Sequence, residues 1–174
     1  MLDSRFAVRT QAQRFHFEGI LPLITQISES LFLSDAASAR SAAVVEHGIG
    51  AILCLDRHTW RVNKSQYMAP AYAFPIDEQR CSDFSFLRAV YKLRRLCQSH
   101  ARVLVHCRFG QSRSVAVIAA YLVVAEQIDP SEALRLVMTR RDSPGVTPHL
   151  QKFVLQTTSL WAKWLPLLED DDAE

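Results

Sequence analysis

Two hydrophobic rhythms alternate along the chain. Short apolar runs, often β-branched, lie near 23–27, 30–34, 50–55, 71–75 and 102–106. Runs this brief, bounded by polar and turn-forming residues, predict buried β-strands. Between and after them, apolar positions recur every three or four residues over 36–47, 83–98, 112–126, 130–141 and 148–165, the period of helices packed along one side. Phe86, Val90, Leu93 and Cys97 share a face of the helix over 83–98, and Leu150, Phe153, Val154, Thr157, Trp161 and Leu165 share one in the last helix. Asp129, Pro130 and Glu132 form a helix-start signal, and Asp83 reads as the N-cap of the helix that follows it. The stretch Val115–Ala125 is apolar on every side, as a helix in the middle of a domain would be. Such alternation predicts an α/β fold: a central, mostly parallel sheet of four to five strands, helices on both faces, and ligands at the carboxyl ends of the strands.

A length of 174 residues suits one domain with a sizeable core. The expected organisation is an N-terminal arm or helix over 1–22, a catalytic domain over 23–166 and an acidic, disordered tail over 167–174. The first residues carry Arg5, Arg9 and Arg14 without an apolar core, so no secretory signal is expected; an organellar leader is the less favoured alternative to an arm. No apolar run approaches the roughly 20 residues of a membrane-spanning helix. Cys54, Cys81, Cys97 and Cys107 are few and irregularly spaced, which suits a reducing compartment, so a cytoplasmic location is expected. They form no Cys-x-x-Cys pair and no zinc-ligand spacing with histidine, so neither a metal nor another cofactor is expected. The tail contains five acids; the remainder holds 20 bases against 13 acids, a formal charge of +7 that reads equally as an attraction for anionic substrates or as a generally basic surface beside an acidic end. The basic residues are scattered without interleaved aromatics, so no nucleic-acid partner is expected. Oligomeric state is left open.

The chemistry concentrates in His106-Cys107-Arg108-Phe109-Gly110-Gln111-Ser112-Arg113-Ser114. A buried strand precedes this run and a buried helix follows it. A strand–loop–helix turn points successive backbone N–H groups and a helix N-terminus at one spot, forming an anion cradle. Cys107 would sit at its base and Arg113 at its rim. A helix N-terminus and a nearby cation can lower a thiol pKa from about 8.5 to roughly 3.5–7.5, which would make Cys107 a nucleophilic thiolate at neutral pH. Arg113 offers a planar fork for two phosphate oxygens. Gly110 allows a close approach at positive φ. Ser114 can hydrogen-bond the departing thiolate. Together these residue types point to phosphoryl transfer through cysteine.

This run resembles the signature of the cysteine-dependent protein tyrosine phosphatase superfamily: His-Cys, five residues, Arg, then Ser or Thr. Val105 to Ser114, followed by Ala120-Tyr121-Leu122, is similar to its dual-specificity branch, and the resemblance extends over roughly Ile24 to Phe153. It implies hydrolysis of phosphomonoesters through a cysteinyl-phosphate, most readily on phosphotyrosine and phosphoserine or phosphothreonine of a protein substrate. Phosphoinositide or RNA 5′-triphosphate hydrolysis by the same chemistry, and phosphoprotein binding without turnover, are the alternatives. It implies Arg108, Phe109, Gly110, Gln111, Ser112 and Arg113 as the phosphate-binding loop, with His106 as loop support. The family's general acid lies about thirty residues before the cysteine, on a loop after a strand; Asp77 fits, with Glu78 and Asp83 as competitors. The segment Thr139 to Pro148 resembles the family's loop facing the cradle, with His149 where an asparagine often stands. Gln151 is a candidate for positioning water. Cys54, in Cys54-Leu55-Asp56-Arg57-His58, resembles a position that can form a disulfide with the nucleophile in the phosphatase-and-tensin lipid phosphatases; ordinary core packing is the other reading.

Overall fold

A computed structural model describes residues 23–170 of the chain. The arm assigned to 1–22 and the tail residues 171–174 lie outside the described residues. The five expected strands all form: β1 (Thr25–Gln26), β2 (Leu31–Ser34), β3 (Ala51–Cys54), β4 (Ala71–Ala73) and β5 (Val103–His106), in the order β1-β2-β5-β3-β4. All pairs are parallel except β1 with β2. β5 is central, with Leu33 and Leu53 flanking Val105, and Phe32 and Ile52 flanking Leu104. Because side chains alternate across the sheet, these two rows face opposite ways. Leu33, Val105 and Leu53 join the larger core, whereas Phe32, Leu104 and Ile52 join a smaller one. Both faces are covered, and so β2, β3 and β5 are buried at every residue.

Helices α3 (Asp83–Ser99), α4 (Arg113–Glu126), α5 (Pro130–Arg141), α6 (Pro148–Leu155) and α7 (Thr157–Asp170) contribute to the larger core, and α1 (Ala43–Glu46) contributes Val44 to the smaller. α4 is the innermost: Ser114 through Ala120, Leu122 and Val123 are all buried. α5 starts as expected, with the Asp129 carboxylate accepting from the Ser131 and Glu132 amides and Pro130 in the first turn.

Several sequence expectations need correction. The helix over 36–47 is split into a 3-10 turn at 38–40 and α1, because Asp35 and Ser41 take backbone partners locally: Asp35 accepts from the Ser38 amide and Ser41 donates to the Ser38 carbonyl. The helix over 148–165 is broken at Gln156, where the buried Thr157 hydroxyl donates back to the Phe153 carbonyl. α7 then continues to Asp170 and buries Leu168, so residues 167–170 are helical rather than tail. Ser82, not Asp83, caps α3, accepting from the Ser85 amide. One helix, α2 (Arg57–Asn63), was not anticipated at all.

Replacing Asp129 with alanine removes an acceptor for two otherwise unpartnered amides of α5. The expected loss is about 1 kcal/mol, seen as a melting point lowered by a few degrees with no change in secondary structure.

Candidate active site

The parallel strands end on one side of the sheet, and the chain leaving each end supplies a polar residue. β3 runs into Asp56, β4 into the loop carrying Asp77, and β5 into Cys107. Cys107 is 2% exposed. Its Sγ receives the Gly110 amide at 3.3 Å and lies 3.4 Å from the Ser114 hydroxyl. Burial pushes the thiol up. The Ser114 hydroxyl and amide, the Arg113 charge and the Gly110 amide outweigh that and hold it below its ordinary value. Gly110 has φ +65°, and a Cβ there would come within 2.5 Å of the Ser34 carbonyl oxygen. The loop's tightness therefore requires glycine at this point.

The loop is held from several sides. His106 is fully buried, and its Nδ1 lies 3.1 Å from the Cys107 carbonyl. A carbonyl can only accept, so Nδ1 carries the proton and Nε2 accepts from the Tyr67 hydroxyl at 2.9 Å. Burial drives the ring's pKa down to about 4, which makes it a neutral brace near pH 7. Arg141, 7% exposed, donates through Nε to the Gly110 carbonyl at 2.9 Å. Its Nη1 reaches the Leu23 carbonyl and the Thr25 hydroxyl. Ser143 donates to the Gln111 carbonyl at 2.6 Å, and the Thr147 amide approaches the Ser112 hydroxyl at 3.4 Å. The segment between α5 and α6 thus does face the cradle. His149, where an asparagine was looked for, reaches the Cys81 carbonyl through Nε2 at 2.9 Å.

Arg113 is half-buried at the start of α4. Its Nη1 donates to Asp56 Oδ1 at 2.8 Å and lies 3.5 Å from the Leu55 carbonyl. Both acceptors take the same nitrogen, so the edge formed by Nε and Nη2 is left as a two-pronged donor. Asp56 also caps α2, its Oδ2 accepting from the Thr59 amide at 2.8 Å and hydroxyl at 2.7 Å. Burial works to raise this carboxyl, but the Thr59 and Arg113 hydrogen bonds dominate and bring it down to about 2. Sequence reasoning missed Asp56 and Arg141. An aspartate three residues before a threonine was the available signal for the first; nothing in the sequence separates Arg141 from the neighbouring Arg135 and Arg140.

Asp77 is exposed on the loop after β4, and its Oδ1 accepts from the Gln79 and Arg80 amides at 2.9 and 2.8 Å. Those amides, Gln79 first, hold its carboxyl below the usual value. Two adjoining cavities share Arg113 and Glu78. One, of about 270 Å³, contains Cys107, Phe109, Gln111, Ser112 and Thr147. The other, of about 700 Å³, contains Asp56, Arg57, His58 and Asp77. Phe109 stands at the rim, 65% exposed, beneath the Arg108 guanidinium. Asp83 lies away from both cavities, accepting from Trp164 Nε1.

Two further candidates make their described contacts with other groups. Gln151 is exposed and lines a groove with Ser131, Arg135 and Thr139 of α5. Cys54 pairs with His106 across β3 and β5, and its thiol lies 3.4 Å from the Asp56 carbonyl. Burial raises its pKa. All four cysteines are free thiols. Among the described residues no group of three or more His, Cys, Asp or Glu side chains could hold a metal ion, and no helix is long and apolar enough to cross a membrane.

The family model for the dual specificity phosphatase catalytic domain matches residues 31–159. Human dual specificity protein phosphatase 13B is 30% identical over 128 residues, 68% of this chain and 65% of the relative. Mouse dual specificity protein phosphatase 26 is 27% identical over 138 residues, 71% of this chain and 61% of the relative. The chain thus spans less than two thirds of the length of these curated relatives. The crystal structure of human DUSP28 superposes with a TM-score of 0.67 at 19% identity, covering 78% of this chain and 93% of that one, a likeness of fold.

Asp56 gives the site a measurable acid dependence. Its folded pKa lies below the unfolded value near 3.9, so its stabilisation is complete above that value and is lost as pH falls toward 2. Asp56→Asn keeps an acceptor for the Thr59 amide but has no charge to lose. Between pH 5 and pH 2, chemical denaturation is expected to show wild type losing about 2 kcal/mol more than the variant. Equal losses would show that the carboxylate is not held as described.

Proposed function

The chain belongs to the dual-specificity phosphatase family, and from that premise we propose that it hydrolyses phosphomonoesters on phosphotyrosine and phosphoserine or phosphothreonine of proteins, through a cysteinyl-phosphate. The observation that carries this reading is the convergence of the Gly110 amide and the Ser114 hydroxyl on the Cys107 sulfur, with Arg113 in the same cavity. A buried sulfur with such donors is poised to be an anion, which is what attack on phosphorus needs.

The proposed sequence has two displacements. The Cys107 thiolate attacks phosphorus, a sulfur–phosphorus bond forms, and the bond from phosphorus to the substrate oxygen breaks. Arg113 receives two phosphate oxygens on its Nε and Nη2 edge, while Asp56 fixes Nη1. Asp77 gives its proton to the departing oxygen; its Oδ1 is used by the loop amides, so Oδ2 is the oxygen left for this transfer. In the second displacement the Asp77 carboxylate takes a proton from water as water attacks the phosphocysteine. Inorganic phosphate forms, and Ser114 hydrogen-bonds the returning thiolate. The amides that fix Asp77 also favour its ionised form, so protonated Asp77 becomes scarce as pH rises. Activity should therefore decline toward alkaline pH.

The phosphoinositide alternative has less support: apart from Arg113, the loop between Cys107 and Ser114 holds one basic residue, Arg108. Parallel assays on phosphopeptides and on phosphoinositides are the test, with phosphopeptide turnover expected to be the faster.

Cys107→Ser is expected to abolish turnover while still binding phosphopeptide, since the amides and Arg113 remain. Loss of wild-type activity with a chelator, restored by a divalent metal, would contradict the cysteine route. Asp77→Asn preserves the loop's acceptor but not the proton. It is expected to lower kcat by about 10²–10⁴ on alkyl or aryl phosphates with poor leaving groups and to flatten the alkaline decline. A larger loss in Glu78→Gln would move the acid to Glu78, which lines the cysteine cavity itself.

A further inference from the structure

From Arg57 to Ile76 the sequence holds Arg57, His58, Arg61 and Lys64 and no aspartate or glutamate. α2 displays the first three on its surface and Lys64 follows directly, all four exposed. Asp56, the acid nearest in sequence, is already committed to Arg113 and Thr59. α2 is therefore a basic ridge with no acid of its own to neutralise it. Arg57 and His58 line the 700 Å³ cavity, whose other wall includes Asp77 and Glu78. That cavity shares Arg113 and Glu78 with the cysteine pocket, so it is the space beside a phosphate held at Cys107.

We infer that α2 is a docking surface for acidic residues flanking the phosphorylated residue of a peptide substrate, with Arg57 and Arg61 receiving carboxylates on one side of it. The inference rests on the protein-phosphatase reading above and adds a sequence preference to it. An extended peptide advances about 3.3 Å per residue, so residues up to three positions from the phosphorylated one fall into the adjoining cavity. Arg57 and His58 line that cavity together with Arg113, and Asp77 and Glu78 give the rest of its lining an acidic part. A headgroup bearing several phosphates around one ring would meet that acidic wall, whereas a peptide can keep its carboxylates on the α2 side. Exposed ion pairs are weak, each giving at most about a fivefold gain, and salt screens them. The expected preference is thus moderate and appears in KM.

The test uses the full chain and phosphotyrosine peptides with alanine flanks, or with three glutamates placed before or after the phosphotyrosine. Glutamates on one side are expected to raise kcat/KM roughly three- to twentyfold at low salt, with the gain shrinking as salt rises. In the Arg57→Ala/Arg61→Ala double variant the gain disappears, while hydrolysis of the alanine-flanked peptide and of p-nitrophenyl phosphate stays within about twofold of wild type. A gain that survives in the double variant, no gain on either side, or better turnover with lysine flanks would overturn the inference. So would faster hydrolysis of a phosphatidylinositol phosphate in vesicles that is lost in the double variant, since α2 would then face lipid. Should p-nitrophenyl phosphate not be hydrolysed at all, the proposed reaction fails instead. The docking inference is then judged by affinity of Cys107→Ser for the same peptides, with and without the arginine substitutions.

Discussion

The sulfur of a cysteine only 2% exposed cannot hold negative charge unless the protein replaces the water it has lost, and that requirement organises the site. Desolvation opposes the Cys107 thiolate. The Gly110 amide, the Ser114 hydroxyl and amide and the Arg113 cation oppose desolvation and prevail. Each of these donors depends on backbone placement. The Gly110 amide can reach the sulfur only because the loop turns at positive φ against Ser34, and Ser114 reaches it because α4 starts just before. The buried, largely apolar α4 anchors that start in the centre of the domain.

Around the loop, neutral and charged braces divide the work. His106 is kept neutral by burial, so it can fix a carbonyl without adding a charge beside the thiol. Arg141 brings a cation under the loop from the opposite side and spends its donors on carbonyls and a hydroxyl rather than on a carboxylate. Arg113 is oriented by Asp56, whose second oxygen starts α2. The position of α2 and the direction of the Arg113 fork therefore share one carboxyl group.

Much of this was legible in the sequence. The short apolar runs marked all five strands, and the spacing of Cys107, Gly110, Arg113 and Ser114 marked the cradle, because these features depend on local pattern. What escaped notice depends on tertiary pairing or on weak local preference. α2 contains Thr59, Trp60 and Val62, none of them strong helix formers, and stands by virtue of its cap and its contacts. The Asp56–Arg113 pair joins residues 57 apart, which no local pattern announces. Gln151 occupied a plausible sequence position, and the structure sets it in a groove against α5. The break at Gln156 lies inside an unbroken apolar stripe, which the buried Thr157 hydroxyl can bend without interrupting.

The loop that carries Asp77 is stitched to the entrance of α6 at two points. The Thr147 hydroxyl lies 3.3 Å from the Glu78 carbonyl, and His149 reaches the Cys81 carbonyl. A loop pinned on both sides of Gln79 and Arg80 is a hinge-bound rim rather than a free flap. Shifts of α6 are transmitted to it, and its excursions are felt at Ser112 through the same Thr147. The position of the Asp77 carboxyl group and the seating of α6 are thereby tied together by two side chains, Thr147 and His149.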